Sequence, residues 1–232
     1  EKLIHNWADN DLQTLGLRLA HLERWLFRSY EPDKFHNGDF WNRLEKWLTN
    51  LSSDDEKKLI FRLLTEIFYA GPIEFEELYR TAYEGPVARW LIKKENIDIF
   101  DPSAHARLKA AAASTWFCPI TDSFRINGFF HVNNIAAGAN LRPDWHSLKT
   151  LGDRIRISDY CNTHGIRRLV LLEDFVGGGS QSLGAVEFSA KLSCDLEILF
   201  VPLIMCPDGH DAAHTLSSNI NIDRPGALTY DP

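Results

Sequence analysis

The chain has 232 residues, of which 44% are hydrophobic and 25% are charged, and its formal net charge is −7. This composition is typical of a globular protein with a substantial core, and the length suffices for one large domain or two small ones. The negative charge argues against a surface built to bind nucleic acid, since neutralising phosphates needs clustered lysines and arginines, but it permits a small anionic ligand held by backbone amides.

The N-terminal part of the chain predicts amphipathic helices. Leucines from Leu12 to Leu26 recur at spacings of three and four residues, which is the pattern of one apolar helical stripe. The sequence around Asp39 predicts the start of a second helix. Ser52 or Ser53, followed by three acids, predicts the capped start of a third helix.

Two Gly-Pro pairs, Gly71-Pro72 and Gly85-Pro86, are then expected to divide the chain into two shorter helical pieces. We expect this helical region to cover residues 1–98. Its leucine and tryptophan stripes exceed what short separate helices need, so we expect the region to pack on the rest of the chain. The junction NIDIFDPSA is short and apolar, unlike a flexible linker.

Residues 99–232 predict an α/β domain. An alanine-rich helix leads into a short strand at 115–120, and TDSFRINGFFHVNN follows as a loop with at most one short strand. A helix closed by Gly165 precedes RRLVLLEDF, a nearly continuous apolar strand of the kind found inside parallel sheets. A further helix and the buried strand DLEILFVPLIM complete a right-handed strand–helix–strand unit.

The segment LLEDFVGGGSQSLG carries the chemistry of this unit. Glu173 and Asp174 stand at the end of the apolar strand, and a glycine loop with Ser180 opens the next helix. Such a loop turns several backbone N–H groups toward one point, which favours an anion such as a sugar phosphate. Carboxylates at the carboxyl end of a strand lie where open α/β sheets bind ligands, and the adjacent hydroxyls of a ribose suit them.

Other interpretations of this segment stay open. A P-loop is excluded, because no lysine follows the glycines, and a dinucleotide fingerprint fits poorly, because Glu197 lies near the start of the following strand and not at its end. A nucleophile elbow would use Ser180, although residue 182 is serine where that motif has glycine. Asp208 or Asp211 and His214 follow in the order of a hydrolase triad, so a hydrolase using Ser180 is one alternative. A plain turn with solvated acids is another.

The unit at 166–206 resembles the phosphoribosyl diphosphate (PRPP) motif of type I phosphoribosyltransferases, with the specific match confined to Glu173–Ser182. The resemblance implies that Glu173 and Asp174 contact the ribose hydroxyls. It also implies that the 5′-phosphate is bound by Gly177, Gly178, Gly179, Ser180, Gln181 and Ser182. The family's loop usually carries two threonines where this chain has its first two glycines, so here the phosphate depends more on backbone amides.

The second element of that family is a loop that holds pyrophosphate after the first core strand. Its positional counterpart is CPITDSFRING, with Asp122, Ser123 and Arg125 as candidate contacts. The variant EDFVGGGSQ behind a helical N-terminal half is more similar to phosphoribosyltransferase-like domains of bacterial conflict and antiphage systems, some of them beside retron genes. The resemblance implies a parallel sheet with flanking helices, Mg²⁺ as cofactor, PRPP or a nucleotide as ligand, and a protein partner from a defence system.

Two classes of function follow from the resemblance. An enzyme would let a nitrogenous acceptor displace pyrophosphate from C1 of the ribose, or would let water cleave the glycosidic bond of a nucleotide. A non-catalytic module would keep the fold and serve as a sensor or an assembly partner. The intact acidic pair favours the enzyme, whereas the missing threonines favour the module.

The remaining signals concern metal ligands, charges and compartment. Cys206, His210 and His214 have a zinc-like spacing, but no fourth ligand is evident, so we expect solvated histidines on a loop. Arg167 and Arg168 are expected to be surface charges at the far end of the central strand. Scattered cysteines without a C-x-x-C pair, and apolar runs shorter than the roughly 20 residues of a membrane span, predict a cytoplasmic protein without membrane contact. A chain that begins without methionine is expected to be an excised or processed piece.

Overall fold

The computed structural model describes residues 10–27, 39–135, 154–192, 196–223 and 226–230. The helices are α1 (Asn10–Trp25), α2 (Phe40–Thr49), α3 (Asp54–Leu64), α4 (Pro72–Ala82), α5 (Ala88–Lys94), α6 (Ala104–Ala113), α7 (Ile126–Val132), α8 (Arg154–Thr163), α9 (Ser180–Ala190) and α10 (Pro207–Asp223). The strands are β1 (Thr115–Pro119), β2 (Arg168–Val176), β3 (Glu197–Met205) and β4 (Leu228–Tyr230). The chain divides into two compact units, Glu1–Phe75 and Glu76–Pro232. The expected boundary between a helical region at 1–98 and an α/β domain at 99–232, and the packing of the first on the second, stay predictions.

The first unit is helical, and its helix starts confirm the capping signals of the sequence. Asp39 caps α2, because its carboxylate accepts a hydrogen bond from the N–H of Asn42 at 2.8 Å. Ser53 and Glu56 cap α3 reciprocally, each side chain accepting from the backbone N–H of the other. The buried residues of this unit include Leu12, Leu19, Phe27, Leu44, Leu48, Phe61 and Leu64.

The Gly85-Pro86 pair does not break the chain, contrary to the prediction. A π-helical turn, Tyr83–Val87, joins α4 to α5. In an α-helix the proline ring would collide with the carbonyl group four residues earlier, and the wider π turn keeps the proline within one helical run. The ring of Tyr83 lies 6.4 Å from that of Phe117 on β1 and 6.3 Å from that of Phe129 on α7. This helical run therefore packs on the sheet within the second unit.

The second unit is built on a four-stranded parallel sheet in the order β1-β2-β3-β4. One face of the sheet packs against α8, α9 and α10, whose buried contributions include Ile157, Ala185 and Ala213. On the opposite face, the ring of Phe117 contacts two phenylalanines of α7. The predicted fold class, an α/β protein with a parallel sheet and flanking helices behind a helical N-terminal region, is confirmed.

Two segments expected to be loops are helices. TDSFRINGFFHVNN contains α7, and the segment after β3 forms α10, which has 17 residues. The aromatic residues of α7 suggested a strand, and the many polar residues of α10 suggested a loop although one side of this helix is buried. The short strand β4 was not predicted. Gly165 follows α8 with φ +66°, as expected of a residue just past a helix end, while 136–153 lie outside the described residues.

Arg168 is buried, which corrects the prediction of a surface charge. Its side chain is 8% exposed and forms an ion pair with Glu95, and its Nε lies 3.4 Å from Oε2 of Glu197. Lys94 adds a 2.8 Å contact from Nζ to Oε1 of Glu197. The buried guanidinium is tolerated because carboxylates compensate its charge. Arg167, by contrast, is exposed as predicted.

The described cysteines are free thiols. Cys118 and Cys161 are buried and Cys206 is half-buried, while Cys194 lies outside the described residues. Burial raises the pKa of the Cys161 thiol to about 11, so this sulfur stays protonated at neutral pH. Throughout the described ranges, no helix combines the length and apolarity needed to cross a bilayer.

Gly209, near the start of α10, gives a test of this packing. A Cβ at this position would lie 2.3 Å from the carbonyl oxygen of Gly177. We expect Gly209→Ala to lower the free energy of unfolding by about 1–3 kcal/mol, because the helix or the loop must shift. In the matched control, Gly184→Ala on α9, the new Cβ meets nothing within 4 Å, and stability should rise by up to about 1 kcal/mol. Urea unfolding measures both changes, and equal effects would contradict the contact.

Candidate functional site

The acidic pair lies at the carboxyl edge of the sheet. The strands β1, β2 and β3 are parallel, so the loops that follow them emerge at one edge, where ligands bind in open α/β sheets. Glu173 is paired with Pro202 of β3. On the other side, the N–H of Ile120 donates to the carbonyl of Leu172 at 2.9 Å and extends the β1–β2 ladder by one residue. The loop after β1 is thereby held beside the two acids.

Glu173 is buried, with 5% of its surface exposed, and both of its carboxylate oxygens contact Thr121. The N–H of Thr121 lies 3.1 Å from Oε2, and the Thr121 hydroxyl lies 2.9 Å from Oε1. Burial raises the pKa of Glu173 to about 7; hydrogen bonds from Thr121 to the ionised form oppose this rise, and the charge of Asp174 adds to it. Glu173 therefore changes its charge near neutral pH.

Asp174 is more exposed and has different contacts. Its Oδ1 lies 3.0 Å from the hydroxyl of Ser123 and accepts a hydrogen bond from the N–H of Phe175 at 2.9 Å. No donor to Oδ2 is found among the described residues. The two acids therefore differ in what they offer a ligand: Glu173 has both oxygens engaged, whereas Asp174 keeps one oxygen for a new contact.

The loop after β1 contributes a residue that sequence reasoning missed. Of its three predicted contacts, Ser123 reaches the acidic pair, while Asp122 and Arg125 are exposed. The missed residue is Thr121, whose hydroxyl lies 2.7 Å from that of Ser123. Beneath this loop, the backbone of Arg125 is hydrogen-bonded to the hydroxyl of Tyr79, a group whose pKa is raised by burial.

The glycine loop forms the start of α9. Gly179 has φ +84°, and a Cβ there would lie 2.9 Å from the side chain of Leu183, so this position requires glycine. Gly178 differs, because its φ is not left-handed and a Cβ on it would meet nothing within 4 Å. The backbone at Gly178 is therefore open to the approach of a ligand.

The polar side chains of this loop are not equally available. The hydroxyl of Ser182 is buried and donates to the carbonyl of Gly179 at 3.3 Å, so it braces the loop from inside. Ser180 and Gln181 are exposed in the first turn of α9, and no side chain caps that helix at Gly179. The free N–H groups of the first turn and the positive end of the helix dipole favour an anion at this point.

The backbone of the loop is held from behind by the start of α10. The N–H of Cys206 donates to the carbonyl of Val176 at 2.8 Å, and Gly209 lies against Gly177. These contacts join the end of β3 to the loop after β2. The amides of the loop are therefore fixed before any ligand arrives, which lowers the entropy lost on binding.

The histidines of the hydrolase and zinc alternatives have contacts that fit neither alternative. Nδ1 of His210 lies 2.9 Å from the hydroxyl of Tyr230, and the ring of His214 stacks on that of His210 at 6.5 Å. Both histidines lie on α10 and not on a loop. No hydrogen bond of the described residues joins Ser180 to either histidine. Those same residues contain no group of three or more His, Cys, Asp or Glu side chains arranged to hold a metal ion.

Comparison with known proteins gives one match. The family model PRTase-CE covers residues 44–226, which is more than half of the chain and includes β1, β2, β3 and both loops of the site. Neither the search of curated proteins nor the search of solved structures found a match. Both the fold and the extent of the match lead to one conclusion. The chain belongs to the PRTase-CE family of phosphoribosyltransferase-like proteins.

Proposed function

We propose that this protein binds a phosphoribosyl compound, PRPP or a nucleotide, at the edge formed by the loops after β1 and β2, and transfers its phosphoribosyl group. The observation that supports this most strongly is the glycine loop that follows Asp174 closely in the chain and opens α9, a helix whose N-terminus no side chain caps. A sugar 5′-phosphate on the loop amides would bring its ribose hydroxyls toward the available oxygen of Asp174. Asp122, Ser123 and Arg125 would meet the diphosphate from the loop after β1.

In the proposed mechanism the protein contributes positioning and electrostatic stabilisation, and it forms no covalent bond to the substrate. A nitrogen of the acceptor forms its bond to C1 of the ribose while the bond to pyrophosphate breaks. The electron pair of that bond leaves with the pyrophosphate, and the proton of the acceptor nitrogen passes to solvent or to the pyrophosphate. The fixed amides would hold the 5′-phosphate and Arg125 would hold the diphosphate, so that the acceptor nitrogen lies in line with C1 and the leaving oxygen. With a nucleotide bound in the same way, an oxygen of water would form the bond to C1 while the glycosidic bond breaks. The base would leave with the electron pair and take up the proton that the water loses.

In this proposal Mg²⁺ arrives as part of the substrate, the Mg²⁺ complex of PRPP. The ion usually binds through substrate phosphates and few protein oxygens. Bound to the diphosphate, the ion would neutralise charge on the departing pyrophosphate.

The second candidate is a non-catalytic sensor or assembly module in the cytoplasm, working with a protein partner of a bacterial defence system. Two observations favour it. Glycines stand where the phosphoribosyltransferase motif usually has threonines, and the hydroxyl of Ser182 is turned inward. The phosphate would then be held by backbone amides and the exposed Ser180 and Gln181, which suffices for binding without demanding turnover.

One experiment separates these proposals. PRPP is titrated into the protein with and without Mg²⁺, and pyrophosphate release is then measured with a panel of nitrogenous bases and with water. Release supports the enzyme, and saturable binding without release supports the module. Failure of both PRPP and nucleotides to bind would overturn the proposed site.

Asp174→Asn tests the ribose contact. An amide oxygen can still accept from Ser123 and from the N–H of Phe175, so we expect an unchanged melting temperature. PRPP affinity should fall by about 10- to 100-fold, because hydrogen bonds to a charged group contribute roughly 1.5–3 kcal/mol. Asp159→Asn, an exposed acid on α8, removes the same charge and should leave affinity unchanged. Calorimetric titration compares the three proteins, and equal affinities would rule out the contact.

Gly178→Val tests the phosphate loop. The fold should tolerate the change, because a Cβ at this position meets nothing within 4 Å. The branched side chain would instead occupy the space through which a phosphate approaches the amides. We expect binding of PRPP to be lost while the melting temperature is retained. Undiminished PRPP binding by the folded variant would place the phosphate elsewhere.

The burial of Glu173 predicts a pH dependence of stability. Because its pKa rises from 4.5 to about 7 on folding, the folded protein holds a proton that the unfolded chain has released in that interval. The stabilisation is complete below pH 4.5 and is lost as the pH rises through 7. Between those limits the wild type should lose about 1–3 kcal/mol of unfolding free energy relative to Glu173→Gln. Urea unfolding across this range gives the difference, and parallel pH profiles would contradict the burial argument.

A further inference from the structure

We propose that Glu173, Thr121, Ser123 and Asp174 form a relay in which one proton is shared between the buried acid and the ligand-facing acid. Three contacts link the four side chains in a row: 2.9 Å from Glu173 to Thr121, 2.7 Å from Thr121 to Ser123 and 3.0 Å from Ser123 to Asp174. The inference deepens the proposed function and rests on it for the meaning of the shared proton, because the relay lies within the proposed site.

The number of protons available to these three contacts supports the proposal. Each of the three contacts has a hydrogen-bond distance and needs one proton between its two oxygens. The hydroxyls of Thr121 and Ser123 supply only two protons. If both acids were ionised, each hydroxyl would point to its nearer carboxylate, and the two hydroxyl oxygens would face each other at 2.7 Å with no proton between them.

A proton on Glu173 completes the row. Oε1 of Glu173 then donates to the hydroxyl of Thr121, Thr121 donates to Ser123, and Ser123 donates to Oδ1 of Asp174. Oε2 of Glu173 still accepts from the N–H of Thr121 at 3.1 Å. Every donor in the row has an acceptor, and the pair of acids carries one negative charge instead of two. The raised pKa of Glu173 agrees with this arrangement.

Within the part of the chain that the structure describes, no other charge is placed to hold Glu173 ionised. The strand β3 presents Pro202 opposite Glu173. The helix α4 brings Tyr79, and the loop after β1 brings Arg125, whose electrostatic effect falls on the Tyr79 hydroxyl. Asp174 is the charged neighbour of Glu173 on β2, and its effect is repulsive. The proton of the relay is therefore the means by which the site limits this repulsion.

The shared proton has a consequence for the ligand. A phosphoribosyl diphosphate is an anion, and a doubly ionised acid pair would repel it. With the proton in the relay, the two acids together carry one negative charge instead of two, and Asp174 still offers an acceptor oxygen to the ribose. We therefore expect binding to favour the protonated relay and to weaken as the pH rises through neutrality.

The relay is tested first without any ligand, through the infrared C=O stretch of a protonated carboxyl group during a pH titration. The wild type should show this band up to about pH 7, and Glu173→Gln should lack it. Ser123→Ala should lower the midpoint of the band by about one pH unit, although Ser123 does not contact Glu173, because the relay loses an acceptor. An unchanged midpoint in Ser123→Ala, or a band that disappears by pH 5 in the wild type, would overturn the relay.

Matched variants separate the relay from general packing. Thr121→Ser keeps the hydroxyl and should keep the wild-type midpoint. Thr115→Val removes a buried threonine hydroxyl that donates to the carbonyl of Ala111 at the opposite end of β1, so it should change stability without moving the midpoint. A midpoint shift in Thr115→Val as large as that in Ser123→Ala would assign the effect to stability and contradict the relay.

A second measurement connects the relay to the ligand. The affinity for the Mg²⁺ complex of PRPP is measured by calorimetry at pH 6 and pH 8. It should fall about tenfold in the wild type and much less in Glu173→Gln, which carries no ionisable group there. Equal losses in the two proteins would refute the link between relay and ligand. If PRPP fails to bind at either pH while the infrared band behaves as expected, the proposed function fails and the relay stands.

Discussion

The hydrogen-bond ladder between β1 and β2 is the constraint on which the site depends. It runs one residue past the end of β1, through the bond from Ile120 to Leu172, and this step sets the next residue, Thr121, beside Glu173. The threonine can then satisfy both oxygens of a carboxyl group that has left water. Without that register the burial of Glu173 would leave an acid with no partner, which is among the costliest features a core can contain.

The strand β2 carries a buried ionisable group near each of its ends, and the two are accommodated differently. At the amino end, the charge of Arg168 is compensated by Glu95 and Glu197, which lie within ion-pair distance. At the carboxyl end, Glu173 meets an amide, a hydroxyl and another acid. One end is therefore a permanent ion pair that joins elements of the fold, whereas the other end responds to the proton concentration. Only the second arrangement would suit the charged ligand that we propose for this site.

The sequence predicted those parts of the fold that leave a local pattern. The caps at Asp39 and Ser53, the apolar strands and the glycine loop each depend on neighbours in the chain, and these were confirmed. Features set by tertiary contacts were not predictable in this way. The aromatic run of α7 has the composition of a strand, and α10 shows few apolar residues because much of it faces water. The role of Thr121 depends on strand register, which no spacing within its own segment records.

The contact between Gly209 and Gly177 also constrains how this site can evolve. The two glycines are far apart in sequence, yet α10 can approach the glycine loop this closely only because Gly209 has no side chain. A side chain at residue 209 therefore lowers stability while the loop keeps its present path, and a different loop path would remove this restriction. Substitutions at residue 209 and in the glycine loop are therefore expected to depend on one another, although residue 209 lies outside the loop.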